Sequence, residues 1–174
     1  ALDRFECSEE EHEFFQKLTE VILDENPDKS VPQALNDWMN ENIGKYMVQG
    51  PMHDITWELG YPMDVYNYKT ADCLGNAYLL CELLRSAGVP AVVATGYISD
   101  FRTIAERELF NFYANELSLS EGERRGIDGH AWVFCYYDGK WQCVDSLWNH
   151  VFTEKELIAS YYYIQGVDNV KKYK

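Results

Sequence analysis

The sequence has no apolar run that approaches the ~20 residues needed for a membrane-spanning helix. Basic residues are also scarce, because 15 Lys and Arg stand against 29 Asp and Glu and give a formal net charge of −14. Nucleic-acid binding and docking on anionic lipid both require Lys and Arg that face phosphates. We therefore expect neither a membrane span nor a nucleic-acid partner.

Metal-binding and disulfide patterns are missing as well. The five cysteines are odd in number and form no Cys-x-x-Cys pair, and the four histidines form no closely spaced ligand pair. Structural zinc sites and the disulfide scaffolds of small secreted domains depend on such spacings. The sequence therefore predicts no structural metal site. Because the number of cysteines is odd, at least one thiol is unpaired unless it forms a disulfide with another molecule. The cysteines are Cys7, Cys73, Cys81, Cys135 and Cys143.

Apolar residues are plentiful enough to build a core. The 174 residues are 47% hydrophobic and 15% aromatic, which excludes a disordered acidic tail. This length suits one domain, so we expect a single domain over residues 1–174. The chain opens at Ala1 without a signal-peptide pattern, as expected of a processed protein or an excised piece of one, and export stays open.

Hydrophobic periodicity predicts several helices. Ser8 and Glu11 have the spacing of a capping box at the start of the first helix. Gly88 and Pro90 form a strong stop signal after the most regular helical pattern in the chain. The predicted helices cover residues 8–24, 30–43, 73–87 and 101–116, with a short one starting at Thr153.

Alternating and β-branched stretches predict strands in the second half. These strands cover residues 89–99, 130–137 and 140–147, and a polar loop is expected over 118–129. Asp138-Gly139 is a strong hairpin signal between the last two strands. Because a run of helices precedes a run of strands, we predict an α+β fold with the N-terminal helices packed on a helix plus an antiparallel sheet.

Cys73 stands at the first turn of the strongest predicted helix. Unpaired backbone N–H groups and the helix dipole favour an anion there, and a thiolate is the nucleophilic form of cysteine. The alternative is that Cys73 is a buried core residue. We expect that ordinary role for Cys81, which lies two turns later on the same stripe.

The predicted hairpin brings an imidazole close to a carboxylate. A two-residue turn at 138–139 puts His130 and Asp145 on one face as diagonal neighbours, within reach of a hydrogen bond. A three-residue turn would separate them and would set Cys135 opposite Cys143, inviting a disulfide. The two registers exclude each other unless a bulge intervenes.

A thiol at a helix N-terminus and a His held by an Asp are the groups that nucleophilic acyl chemistry needs. The imidazole takes the thiol proton and later protonates the leaving group, while the carboxylate orients the imidazole. The spacing alone does not bring the helix to the sheet. A His–Asp pair with a purely structural role therefore stays open as the alternative.

Four motifs in this order resemble the transglutaminase-like superfamily, over roughly residues 60–150. In that family the nucleophilic Cys opens a helix ending in Arg-x-x-Gly-(Ile/Val)-Pro, and a strand ending in Gly-Tyr follows. His-Ala-Trp and Trp-x-x-Val-Asp then carry the His and the Asp. This chain departs from the pattern at Ala71, where Gly is frequent, and at Ser146, where Pro is frequent. The matching stretches are Cys73, 85–90, 96–97, 130–132 and 141–145.

The resemblance implies a cysteine-protease-like α+β fold with the catalytic residues Cys73, His130 and Asp145. It implies an acyl-thioester on Cys73 and no metal or organic cofactor. We expect a thiol hydrolase that acts on amide bonds of peptides or proteins. A protein-glutamine transglutaminase and a non-catalytic protein-binding module are the alternatives. Because many relatives act outside the cell, an extracellular or cell-surface location is favoured over the cytoplasm.

The oxyanion of a tetrahedral intermediate needs donors beyond the backbone N–H of Cys73. Asn67, Trp57 and Trp38 are the candidates for this role. A structural position in the core is the alternative for each of them, because buried Trp and Asn usually have structural partners.

We divide the predicted domain into a helical extension over 1–59, a motif-bearing core over 60–150 with an insertion at 100–128, and a C-terminal segment over 151–174. We expect the insertion either to cover the active-site cleft or to form a helical segment that is exposed to solvent. Residues 1–72 hold 16 acids and 5 bases, and the insertion holds 7 and 4. The negative charge therefore lies outside the motifs, where it would attract a basic peptide.

Overall fold

The computed structural model describes residues 7–45, 61–99, 127–147, 149–153 and 162–167. Among the described residues, all helices precede the strands from Ala91 onwards, with two strands of two residues between the helices, which confirms the predicted α+β class. The helices are α1 (Glu9–Glu25), α2 (Val31–Asn42), α3 (Pro62–Tyr68) and α4 (Cys73–Ser86). The strands are β1 (Gly44–Lys45), β2 (Thr70–Ala71), β3 (Ala91–Ser99), β4 (Ile127–Tyr137), β5 (Lys140–Asp145), β6 (His150–Thr153) and β7 (Tyr162–Val167).

The ends of the first helices follow from local chemistry. The predicted capping box of α1 is confirmed, because Glu11 N–H donates to Ser8 Oγ (3.2 Å) and Ser8 N–H donates to Glu11 Oε2 (2.7 Å). Ser30 caps α2 with a single bond, in which its Oγ accepts the backbone N–H of Gln33 at 3.4 Å. The sequence analysis missed α3, although Pro62 in its first turn is a recognised start signal.

Five strands form one antiparallel sheet in the order β6-β5-β4-β3-β7, and α4 packs against one of its faces. The predicted loop over 118–129 is wrong at its end, because β4 starts at Ile127, which pairs with Ser99 in the antiparallel ladder. The predicted helix from Thr153 is wrong at its start, because Thr153 ends β6 and pairs with Gln142. The predicted helix over 101–116 lies outside the described residues.

The β4–β5 hairpin has the two-residue turn that the sequence predicts. Asp138 and Gly139 have φ angles of 53° and 72°, as a type I′ turn requires, so that Tyr137 faces Lys140. In this register Cys135 lies opposite Gln142, and Cys143 lies opposite Phe134. Both thiols are free, so the alternative register with a disulfide is wrong.

One hydrophobic core joins the N-terminal helices to the sheet. Helix α4 lies at the centre of this core. It packs against helices α1 and α2 and against the odd-numbered side chains of β4. Cys81 is 1% exposed within this core, as predicted for a small buried side chain. Among the described residues, no helix combines the length and apolarity that crossing a bilayer requires. Core members include Phe15, Ile22, Leu35, Met39, Leu80, Leu84, Val93, Val133 and Val144.

Candidate active site

Cys73 is the first residue of α4, as predicted, and its side chain is half-buried. The preceding residue, Asp72, is the N-cap, and its Oδ1 accepts the backbone N–H of Gly75 at 2.9 Å. This hydrogen bond ends the extended backbone before the helix, so that the helix starts at Cys73. The thiol therefore stands at a helix N-terminus, where backbone N–H groups and the helix dipole favour negative charge.

A buried amide supports the turn that carries the thiol. Asn76 is 2% exposed, and its Nδ2 donates to the carbonyls of Ala71 and Asp72, both at 2.9 Å. These two carbonyls immediately precede Cys73, so the amide holds the backbone on which the nucleophile sits. The sequence analysis did not select Asn76. A polar residue within the apolar stripe of the strongest helix is the signal that could have found it.

His130 and Asp145 form a buried pair on the β4–β5 hairpin. His130 Nε2 lies 2.6 Å from Asp145 Oδ2, and the two side chains are only 4% and 1% exposed. The other carboxylate oxygen, Oδ1, accepts the backbone N–H of Leu147 at 3.0 Å. Both oxygens of Asp145 are therefore occupied, which holds the carboxylate towards the imidazole. Trp132 stacks on the other side of the pair, 6.0 Å from the His130 ring centre.

The thiol of Cys73 lies close enough to the imidazole of His130 to raise the pKa of that imidazole. Because Asp145 holds Nε2, the ring nitrogen that faces Cys73 is Nδ1. Burial lowers the pKa of His130, but the hydrogen bonds and charges of Asp145 and Cys73 outweigh burial and raise this pKa to about 9. The site thus holds a proton on the imidazole between a thiol and a carboxylate.

The predicted oxyanion donors are not brought to the thiol in the described part of the chain. Trp38 stacks on Tyr66, with ring centres 6.3 Å apart and planes 9° apart. Asn67 is exposed on α3. Trp57 lies outside the described residues. The backbone N–H groups at the start of α4 are therefore the donors that the described geometry offers.

The two thiols on the strands of the sheet, those of Cys135 and Cys143, are poor nucleophiles. Burial raises the pKa of Cys135 to about 12, and burial together with the charge of Asp145 raises the pKa of Cys143 well above its ordinary value. Within the described residues, no group of three or more His, Cys, Asp or Glu is arranged to hold a metal ion. The arrangement at Cys73 is suited to nucleophilic attack with proton transfer by an imidazole.

Solved structures with this fold differ strongly from the chain in sequence. LapG from Legionella pneumophila, after EGTA treatment, has 13% identity and a TM-score of 0.53, over 92% of this chain and 82% of that one. The periplasmic domain of TgpA from Pseudomonas aeruginosa, bound to ethylmercury, has 17% identity and a TM-score of 0.51, over 90% and 50%. A protein described as a TGase has 17% identity and a TM-score of 0.51, over 80% and 33%.

These likenesses show a shared fold, and the chain spans only a third to a half of the TGase and the TgpA domain. No curated protein sequence matches the chain significantly. The sequence model of the transglutaminase-like superfamily, however, matches residues 16–146. This match covers more than half of the chain, including α2 and most of α1 as well as the motif-bearing core. The chain belongs to the transglutaminase-like superfamily.

Proposed function

We propose that this protein is a thiol hydrolase that cleaves amide bonds of peptides or proteins through an acyl-thioester on Cys73. The observation that carries the proposal is the bond from His130 Nε2 to Asp145 Oδ2, with the thiol of Cys73 close enough to the same imidazole to raise its pKa. In this arrangement the imidazole stands between the thiol and the carboxylate, as nucleophilic acyl transfer requires. Each group is held by elements of the rigid fold, namely the start of α4 and the β4–β5 hairpin.

In the first half of the reaction, Cys73 Sγ attacks the carbonyl carbon of the scissile amide while its proton resides on His130 Nδ1. The oxyanion of the tetrahedral intermediate is stabilised by the Cys73 backbone N–H at the helix N-terminus. His130 then donates its proton to the amide nitrogen, the C–N bond breaks, and the amine leaves. The acyl group remains on sulfur as a thioester.

In the second half, His130 accepts a proton from water, and the resulting hydroxide attacks the thioester carbonyl. Collapse of the tetrahedral intermediate releases the carboxylic acid and restores the thiol of Cys73. Asp145 keeps its bond to Nε2 throughout and stabilises the imidazolium. If a primary amine attacks instead of water, the same thioester leads to amine transfer.

The charge distribution supports a basic substrate. The first turn of α1 carries the consecutive acids Glu9, Glu10 and Glu11, and the whole chain has a net charge of −14. The stretch 73–99, which contains the nucleophile, holds one acid and one base. An acidic periphery around a neutral catalytic core attracts cationic peptides and repels anionic ones.

The test is incubation with two peptide pools of matched length, one basic and one acidic, in the presence of a labelled primary amine. Mass spectrometry separates hydrolysis, which adds one water across the cleaved bond, from amine incorporation, which releases ammonia or a peptide amine. We expect hydrolysis of the basic pool by the parent protein and by Cys7→Ala. We expect no turnover by a folded Cys73→Ala variant.

Turnover that survives in Cys73→Ala would remove the proposed nucleophile. Amine incorporation in place of hydrolysis would keep the thioester and assign a transglutaminase. If the parent protein binds peptides from the basic pool but converts none, the protein is a binding module that retains the fold.

A further inference from the structure

Helix α2 contacts the turn that follows Asp145. Asn36 Nδ2 donates to Asn149 Oδ1 at 2.9 Å, and Asn40 Nδ2 donates to the same oxygen at 3.2 Å. Asn40 Nδ2 also donates to the backbone carbonyl of Asn36 at 2.9 Å, which orients it towards the turn. Two amides of one helix thus converge on a single acceptor of the sheet.

This turn connects β5 to β6 and begins at the carboxylate of the site. Asp145 and His150 are paired partners at its two ends. At the first end, the Leu147 N–H donates to Asp145 Oδ1 at 3.0 Å. At the other end, Asn149 has a φ of 55°, a backbone region that Asn enters more easily than most residues. Because Asn149 adjoins His150, the pairing partner of Asp145, a displacement of Asn149 acts on the backbone that carries the Asp145 carboxylate.

We propose that Asn36, Asn40 and Asn149 form an amide clamp that positions Asp145 against His130. This inference rests on the proposed function, because it gives the clamp a role in the same catalytic site. Under it, Asn36 and Asn40 act on the site through the turn, and Asn149 is a positioning residue that contacts neither substrate nor nucleophile.

The burial of Asn36 favours a positioning role for its amide over an incidental polar contact at the protein surface. Asn36 is 0% exposed, so its amide group has left water and depends on partners inside the protein. Its donor reaches across to a residue 113 positions away, whereas Asn side chains near helix ends commonly bond local carbonyls. Asn42 on the same helix shows the local case, because its Nδ2 donates to the Trp38 carbonyl at 2.9 Å.

The experiment compares Asn149→Gly, Asn149→Asp and Asn42→Ala in the full chain. Gly accepts the positive φ but removes the acceptor, whereas Asp keeps an oxygen that both amide donors can reach. Asn42→Ala removes a bond of the same kind, on the same helix, that does not touch the turn. Because Asn149 is exposed, we expect the Asn149→Gly variant to fold normally.

Two readouts separate positioning from general stability. The first is the pKa of the His130 imidazole by NMR titration, and the second is the division of the rate effect between kcat and KM. For Asn149→Gly we expect the pKa of His130 to fall from about 9 towards its ordinary value, because the bond to Asp145 is less well held. We expect kcat to fall about 10- to 100-fold with KM nearly unchanged, since small misplacements of catalytic groups have effects of that size. Asn149→Asp and Asn42→Ala should match the parent closely.

The inference is overturned if folded Asn149→Gly keeps both the parent titration of His130 and the parent kcat. It is also overturned if Asn42→Ala lowers kcat as much as Asn149→Gly does. The NMR titration needs no substrate, so it tests the clamp even if the parent protein proves inactive. Inactivity of the parent would count against the proposed function alone.

Discussion

The described part of the chain brings a thiol, an imidazole and a carboxylate together in two places. On the hairpin, His130 Nε2 lies 2.6 Å from Asp145 Oδ2, and the thiol of Cys73 is close enough to raise the pKa of the imidazole. Between α1 and α4, His12 Nδ1 lies 2.6 Å from Glu82 Oε1, at the same distance. The His12 side chain is 26% exposed, and Glu82 is 3% exposed. The two groups of side chains have the same composition, and the order of their contacts distinguishes them.

In the second cluster, the carboxylate stands between the other two groups. The thiol of Cys7 bonds Glu82, and the second ring nitrogen of His12 lies 3.2 Å from the amide of Gln16. Burial and the charges of Glu82 and Glu11 raise the pKa of the Cys7 thiol far above its ordinary value. A thiol beside a carboxylate retains its proton, whereas a thiol beside an imidazole can transfer it. The order of contacts at Cys7 therefore favours a protonated thiol over a nucleophilic thiolate.

The largest expected difference between the two clusters is the loss of turnover when the imidazole of each is replaced. We expect His130→Gln to reduce turnover by roughly 10⁴-fold or more, because loss of the base in a triad has effects of that order. His12→Gln should leave kcat within about twofold, since the contacts of His12 with Glu82 and Gln16 support the packing of α1 on α4. Steady-state kinetics on a peptide from the basic pool measures both. An equal loss in the two variants would end the distinction between the sites.

The second difference concerns the reactivity of the two thiols. At neutral pH, iodoacetamide should label Cys73 at least about 100-fold faster than Cys7, because alkylation requires the thiolate and the surroundings of Cys7 disfavour it. Both thiols are half-buried, so access alone does not explain such a ratio. Mass spectrometry of digested samples over time gives the two rates. Similar rates would contradict the different roles assigned to the two clusters.

The third prediction uses the proton of His130. Its raised pKa of about 9 means that the imidazolium persists at neutral pH and is lost as the pH rises through that value. The leaving amine needs this proton, so turnover should fall about tenfold per pH unit above pH 9. A pH–rate profile of kcat/KM tests this, with His12→Gln as a control that keeps the same alkaline limb. A rate that stays constant to pH 11 would falsify the role of His130 as the acid.

The smallest expected effect is at the second cluster itself. Glu82→Gln removes the charge next to Cys7 but keeps groups that can bond His12 and Ser86, whose Oγ now donates to Glu82 Oε1 at 3.3 Å. Burial, the main reason for the raised pKa of Cys7, remains. We therefore expect labelling of Cys7 to rise by a few-fold, on the order of half a pKa unit, with turnover unchanged. Slower labelling of Cys7 would contradict the electrostatic part of this account.

Local chemistry made much of the site predictable. The Asp138-Gly139 turn and the alternating strands determine the hairpin register, and the register brings His130 and Asp145 to one face. Cys73 was placed at a helix N-terminus from the helical pattern that starts there. These features depend on residues within about one element of each other in the chain, which is the range over which sequence patterns are informative.

Apart from α3 and Asn76, which have local signals in the sequence, the features that were missed depend on contacts between distant segments. β6 and β7 complete the sheet by pairing with β5 and β3, and their own sequences are short and carry weak strand signals. The bonds from Asn36 and Asn40 to Asn149 join residues 113 and 109 positions apart. No local period or turn signal reports such a contact, because it arises only when the helices pack on the sheet.

The sequence predicts the α+β class, the start of α4 at Cys73 and, if the hairpin has a two-residue turn, the contact between His130 and Asp145. Tertiary structure decided which thiol meets which imidazole, since Cys7 and Cys73 both lie next to a helix N-cap in the sequence. Packing of α4 between α1 and the sheet puts its first residue against His130 and its buried Glu82 against Cys7 and His12. The physical reason is that nucleophile activation depends on a contact between non-local groups, and burial of the common core is what brings those groups together.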